Sequence, residues 1–185
     1  MPEFRVWSAG PVSLSMLIRK KSMSNSASWR KHIKPTPWQR LISAEGKKAM
    51  IETGDQAAAF FLENRDDVIR HSLDLISIPS VTGNLEANIR CLEYLAEIAG
   101  NESIKAIFSR KKDCLVMEQG EAAGREKIGV LTHVDVVDIG DRSRWKTPPF
   151  EGRFDGRYII GRGAMDDKVP TAIIFNLLRS FKKLN

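Results

Sequence analysis

The sequence has no long apolar run and few cysteines. The longest apolar stretch near its start, residues 12–18, is broken by Ser13 and Ser15. It is shorter than the roughly 18 residues that a membrane span needs, and it is a poor export signal. Cys91 and Cys114 are widely separated in apolar surroundings, which favours buried thiols in a reducing compartment over a disulfide or a metal site. We therefore expect a cytoplasmic protein with no membrane partner.

Acidic residues are scarce in the first part of the chain. Residues 1–49 contain ten lysines and arginines against two acids, whereas the remainder contains 19 against 21. The net charge of +6 thus belongs to the leader, and we expect no nucleic-acid partner for the globular part. Residues 1–54 are predicted to be a disordered, basic, Ser-rich leader. Three origins stay open: a translated upstream stretch, a targeting peptide, or a basic arm for a polyanionic partner.

Periodicity predicts alternating helices and strands from about Asp55 onward. Apolar residues at helical spacing predict helices over residues 61–76, 85–98 and 173–181. Asn84 is the expected N-cap of the second helix, and Pro79 ends the first. Short β-like runs are predicted at residues 104–109, 114–118 and 128–131, with a hairpin over residues 150–160. The run at 128–131 is expected to be buried on both faces. The interleaving predicts the α/β class.

His133 and Asp135 are two residues apart at the end of a predicted strand, so both side chains project from one face. A carboxylate beside a histidine is the usual support for a metal-ligating imidazole. The carboxyl end of a core strand is also where open α/β sheets place their sites. Taken alone, the pair is more typical of a structural, hydrogen-bonding histidine.

Asp166 and Asp167 follow a glycine-flanked loop and precede the last predicted helix. Acidic residues at a helix N-terminus are stabilised by the helix dipole, so a capping pair is one interpretation. The other is a carboxylate that bridges two cations, because adjacent acids in a confined site repel each other unless a cation neutralises them. The motif alone does not decide between the two.

Together these motifs closely resemble a known family. Residues 129–170 read GVLTHVDVVDIGDRSRWKTPPFEGRFDGRYIIGRGAMDDKVP. The order and spacing of HVDVV, the loop with Trp145, the hairpin and GRGAMDDK resemble the zinc-dependent dipeptidase, aminoacylase and carboxypeptidase family of dinuclear-zinc metallopeptidases, in particular its dipeptidase V-like branch. The resemblance covers roughly residues 60–185. It implies that residues 55–185 are the N-terminal portion of a three-layer α/β catalytic domain, with helices packed on a mixed sheet.

The resemblance also implies roles for individual residues. His133 would bind one metal ion, Asp166 would bridge two, and Asp135 would act in the catalytic site by orienting His133. The Asp166–Asp167 bond would be cis, and Asp167 and Lys168 would shape and neutralise the loop. The implied cofactor is zinc, two ions per intact site, with manganese or cobalt as alternatives. The implied reaction is metal-assisted hydrolysis of a small peptide or acylated amino acid, with a glutamate as general base.

The sequence departs from this family's pattern in two respects. The family's Glu-Glu pair, a further acidic ligand and a distant histidine follow the bridging aspartate, and the chain reaches Asn185 without them. His133 and Asp166 are fewer than the roughly three protein ligands of a catalytic zinc, so we expect a truncated chain with very weak metal binding and no turnover alone. Val169 replaces the usual glycine. Because it precedes Pro170, it is expected to be extended and to displace the loop.

The sequence is therefore compatible with three classes of function. The first is a hydrolase of dipeptides or N-acyl amino acids, with a desuccinylase-type deacylase as a close relative. The second is a non-catalytic, truncated remnant of such an enzyme. The third is a basic-arm binding module, which is disfavoured because residues 55–185 show no base-stacking aromatics and no recognition helix. The oligomeric state is not indicated by the sequence.

Overall fold

The computed structural model describes residues 13–19, 44–120 and 127–184. The helices are α1 (Ala44–Glu63), α2 (Arg65–Ser77), α3 (Leu85–Asn101) and α4 (Val169–Leu184). The strands are β1 (Ser13–Arg19), β2 (Lys105–Phe108), β3 (Cys114–Gln119), β4 (Lys127–Thr132), β5 (Arg153–Phe154) and β6 (Ile159–Ile160). No helix within these ranges is both long and apolar enough to cross a membrane.

Four strands form a mixed sheet in the order β2-β3-β1-β4. β1 runs antiparallel to β3 and parallel to β4, so that Leu17 is opposite Val116 on one side and Leu131 on the other. β5 and β6 form the separate antiparallel hairpin that the sequence predicts. Helices that pack on a mixed sheet confirm the α/β class.

Two elements correct the expectation that residues 1–54 are a disordered leader. Ser13–Arg19 is a strand inside the sheet, and α1 begins at Ala44, well before the expected onset of order at Asp55. The apolar run at the start is too short for a membrane but long enough for a strand, which typically needs about five or six residues. The expectation is therefore wrong for these two segments. The rest of residues 1–43 lies outside the described residues.

The core lies on the sheet face that α3 and α4 cover. Leu115 and Met117 of β3 alternate onto this face and pack in one cluster with Leu95 of α3 and Phe175 of α4. α2 packs against α4 and adds Leu75 to the same cluster. Apolar burial on one face of each helix explains the periodicity that the sequence shows.

The strand β4 corrects a second expectation. Its residues were expected to be buried on both faces, yet Ile128 is 43% exposed and Leu131 is 63% exposed. β4 lies at the edge of the four-stranded sheet, where an apolar strand is covered less than in the centre. An apolar run by itself does not distinguish these two positions.

The helix ends agree with the sequence at two points and differ at two. The Asn84 side chain accepts a hydrogen bond from Ala87 N at 3.1 Å, which confirms it as the N-cap of α3. α2 ends before Pro79, but the helix expected over residues 61–76 is broken at Asn64. Val169 is helical, with φ −70° and ψ −45°, and not extended as expected. The following proline is tolerated in the first helical turn because its missing N–H has no intrahelical acceptor to lose.

Candidate metal-binding site

Three residues that the sequence singles out converge at the end of β4. His133 directly follows the strand, and its Nε2 lies 2.8 Å from Asp166 Oδ1. Its Nδ1 lies 3.0 Å from the Asp135 backbone oxygen and 3.5 Å from Asp135 Oδ1. Asp135 is 3% exposed, whereas the Asp166 side chain is 71% exposed. The imidazole therefore lies between a buried and a solvent-facing carboxylate.

Gly163 places the loop that carries Asp166. Its φ is +86°, and a Cβ at this position would lie 2.6 Å from Val136 Cγ1. A side chain would thus be strained and would push the loop away from the segment that follows His133. Residues 164–168 form one irregular turn, in which Asp166 (φ −139°, ψ 91°) is not helical. The Asp166–Asp167 peptide is cis, as the resemblance implies.

Lys168 anchors the other end of this turn. Its side chain is fully buried, and Nζ donates to the backbone oxygens of Leu75 at 2.7 Å and Ile78 at 2.5 Å. These carbonyls lie at the C-terminal end of α2, where a positive charge is favoured. Burial lowers the pKa of Lys168 to about 8. Lys168 thus shapes the loop by attaching it to α2, and the contacts of its amine are with carbonyls of that helix end.

The hydroxyl groups of Thr82 and Thr171, which no sequence motif indicates, support the same site. Thr82 Oγ1 donates to Asp135 Oδ2 at 2.7 Å. The buried Thr171 donates to the Asp167 backbone oxygen at 2.8 Å, and its Oγ1 lies 3.3 Å from the His133 oxygen. Thr82 is 53 positions from Asp135 and Thr171 is 38 positions from His133, so no local motif could have identified these two contacts.

The donor set fits zinc in kind and falls short of it in number. Imidazole nitrogen and carboxylate oxygen are typical zinc donors, and His133 Nε2 and Asp166 Oδ1 already face each other. Within the described residues, however, no three or more His, Cys, Asp or Glu side chains are arranged so that they could hold a metal ion together. His71 is buried between α2 and α4, where its Nδ1 lies 3.2 Å from Asn176 Nδ2. His32 lies outside the described residues. The described residues therefore include donors of the kind that zinc prefers, but not enough of them to complete a zinc site.

No protein-family model matches the chain. Proteins named putative dipeptidase from Staphylococcus aureus strains USA300, NCTC 8325 and MRSA252 are each 29% identical to it over 129 residues, which is 65% of this chain and 26% of each relative. The chain thus spans about a quarter of the length of the curated relatives it matches.

The fold is similar to the crystal structure of human carnosine dipeptidase 1. The TM-score is 0.58 at 17% identity, over 71% of this chain and 31% of that chain. The sequence relatives and this shared fold together confirm the resemblance to the dipeptidase family that the motifs around His133 and Asp166 indicate. The structural similarity also shows that the chain corresponds to a portion of the α/β fold of human carnosine dipeptidase 1.

Proposed function

We propose that the chain carries part of the active site of a dinuclear-zinc hydrolase that cleaves dipeptides or N-acyl amino acids. The observation that carries this proposal is the approach of His133 Nε2 to Asp166 Oδ1, at 2.8 Å, beside the buried Asp135. Similarity to proteins named as dipeptidases supports a small peptide as the substrate class. We also propose that the protein is cytoplasmic and has neither nucleic-acid nor membrane partners.

The residues of the chain would have three roles: binding the metal, orienting the imidazole and positioning the loop. His133 and Asp166 would hold zinc, which when bound supplies Lewis-acid polarisation of a carbonyl and an acidified water. Asp135 lies beside His133 Nδ1 and would favour a proton on that nitrogen. The lone pair of Nε2 would then be available to the metal. Gly163 and Lys168 hold the loop that presents Asp166.

The second candidate function is a non-catalytic remnant. It is favoured by one observation: nowhere in the described ranges are three or more His, Cys, Asp or Glu side chains arranged so that they could hold a metal ion. Weak metal binding and no turnover by the 185 residues alone therefore remain predictions. The division into a leader and a catalytic-domain portion over residues 55–185 also remains a prediction, although α1 (Ala44–Glu63) crosses that boundary.

Zinc affinity tests the proposed ligands. We would measure zinc binding to the 185-residue chain by competition with a chromophoric chelator, for the wild type and for His133→Ala and Asp166→Asn. Each substitution is expected to weaken binding by about tenfold or more, which corresponds to about 1.4 kcal/mol for each factor of ten. Asp66→Asn is the matched control, because Asp66 is an exposed carboxylate on α2. Wild-type affinity in both site variants would contradict the proposal.

A substrate panel separates the hydrolase classes. Dipeptides, N-acetyl amino acids and N-succinyl amino acids would be incubated with the zinc-loaded chain, with His133→Ala as the blank. We expect no turnover above this blank. Turnover that is lost in His133→Ala would contradict both the hypothesis of a non-catalytic remnant and the predicted inactivity. A preference for N-succinyl substrates would then identify a deacylase.

A further inference from the structure

A short segment before α3 lies directly alongside the segment that carries Asp135. Val81 and Val136 form a single parallel bridge. Val136 N donates to Ser80 O at 2.9 Å, and Thr82 N donates to Val136 O at 2.8 Å. The backbone of residues 80–82 is thereby fixed against residues 134–136, and the side chains of Ser80 and Thr82 reach the site from a defined direction.

The two hydroxyls of this segment have different partners. Ser80 Oγ donates to the Val134 backbone oxygen at 2.7 Å, and the bond is buried. Thr82 Oγ1 donates to the carboxylate of Asp135, at 2.7 Å from Oδ2, and lies farther, at 3.2 Å, from the Val136 oxygen. Of these two hydroxyls, only that of Thr82 touches the Asp135 side chain.

His133 faces an oxygen acceptor on each side of its ring. Nδ1 is near the Asp135 backbone oxygen (3.0 Å) and Asp135 Oδ1 (3.5 Å), whereas Nε2 is near Asp166 Oδ1 (2.8 Å). A neutral imidazole carries one N–H proton, so only one side can receive it. A proton on Nδ1 leaves the Nε2 lone pair available to a metal. A proton on Nε2 is donated to Asp166 and blocks metal binding.

We propose that Thr82 is a positioning residue that sets the tautomer of His133. Its hydroxyl holds Asp135 by Oδ2, so that Oδ1 remains beside Nδ1 and the proton is favoured there. The purpose of this arrangement rests on the proposed metal-binding function, but the tautomer itself does not, because it is a property of the metal-free chain. Thr82 is exposed, so its replacement leaves the core intact.

The test is nitrogen NMR of the metal-free chain labelled with ¹⁵N-histidine, at one fixed pH well above the ordinary imidazole range. The ring signals of His133 are assigned by their loss in His133→Ala. Thr82→Val, which keeps the shape and removes the hydroxyl, is expected to lower the ratio of Nδ1–H to Nε2–H by about threefold to fivefold, since a hydrogen bond to a charged group is lost while the Asp135 backbone acceptor remains. Thr82→Ser is expected to retain the wild-type ratio.

Ser80→Ala is the matched control. It removes a hydroxyl bonded to the same strand-end segment without touching the Asp135 carboxylate, so it is expected to lower the melting temperature and leave the tautomer ratio unchanged. An unchanged ratio in Thr82→Val, a change of opposite direction, or an equal change in Ser80→Ala would overturn the proposal. If Thr82→Val fails to fold, Thr82→Ala provides the same comparison.

Zinc affinity separates this proposal from the proposed function. Thr82→Val is expected to bind zinc roughly tenfold more weakly than the wild type, and Thr82→Ser about as tightly, as for other groups that orient a metal ligand. If the tautomer ratio moves while His133→Ala binds zinc like the wild type, Thr82 positions His133 and the metal function fails. If zinc binding depends on His133 and the tautomer ratio is constant, the positioning role fails and the metal function stands.

Discussion

His71 is a buried histidine whose protonation is predicted to destabilise the fold in mild acid. It lies on α2, with its ring 5.2 Å from the Phe175 ring of α4 and its Nδ1 3.2 Å from Asn176 Nδ2. Burial lowers the pKa of His71 to about 4, from the ordinary value of 6.5. Charging the imidazole therefore requires the folded protein to hold a cation in an apolar helix interface.

The sign and size of the effect follow from linkage. Because the folded state resists protonation, the stability that His71 contributes is complete above the pKa of the unfolded chain and is lost as the pH falls toward the folded value. The full shift corresponds to about 3 kcal/mol, and about 2 kcal/mol of it is lost between about pH 7 and about pH 5.

Urea denaturation across this pH range measures the loss. The wild type is expected to lose about 2 kcal/mol more unfolding free energy than His71→Gln between the two ends, because glutamine keeps a polar partner for Asn176 and does not titrate. The comparison uses the change within each protein, so the fixed cost of the substitution cancels. Parallel pH profiles for the two proteins would refute the reasoning.

Three further substitutions test how the site is held. Gly163→Ala is expected to lower the unfolding free energy by about 1–3 kcal/mol, since the new Cβ would lie 2.6 Å from a Val136 carbon at a positive φ; a wild-type urea midpoint would contradict this close approach. Lys168→Met is expected to lower the unfolding free energy by about 1–3 kcal/mol, because two hydrogen bonds from a charged amine to carbonyls at the end of α2 are lost while each carbonyl keeps a backbone N–H donor. Lys182→Met is expected to cost less, because its amine makes the same kind of contact nearer the surface; equal losses would count against this prediction. Asn84→Ala should cost about 1 kcal/mol in thermal or urea unfolding and Asn84→Asp much less, whereas no difference between them would argue against the cap.

Much of the site could be predicted from the sequence because its proposed ligands belong to two short motifs, each of which is local in sequence. Strand alternation brings His133 and Asp135 to one side, and a glycine-flanked loop delivers Asp166 before a helix. The structure places these three residues together at hydrogen-bonding distances. Their roles toward a metal remain predictions.

The features that were missed depend on contacts between distant parts of the chain. Thr82 and Asp135 are 53 positions apart, and only the folded chain brings the hydroxyl to the carboxylate. The insertion of Ser13–Arg19 between β3 and β4 is likewise set by pairing with distant strands, which a short apolar run does not specify. The same holds for the exposure of Leu131, because an edge strand and a central strand have similar sequences.

A double-mutant cycle in zinc affinity tests the central claim most directly, namely that His133 and Asp166 bind one metal ion together. The wild-type chain, His133→Ala, Asp166→Asn and the double variant would be compared by the same chelator competition. If the two side chains share an ion, each single substitution removes most of the binding and the double variant loses little more, so the effects are strongly non-additive. Additive effects, or an affinity that neither substitution changes, would contradict a shared metal site.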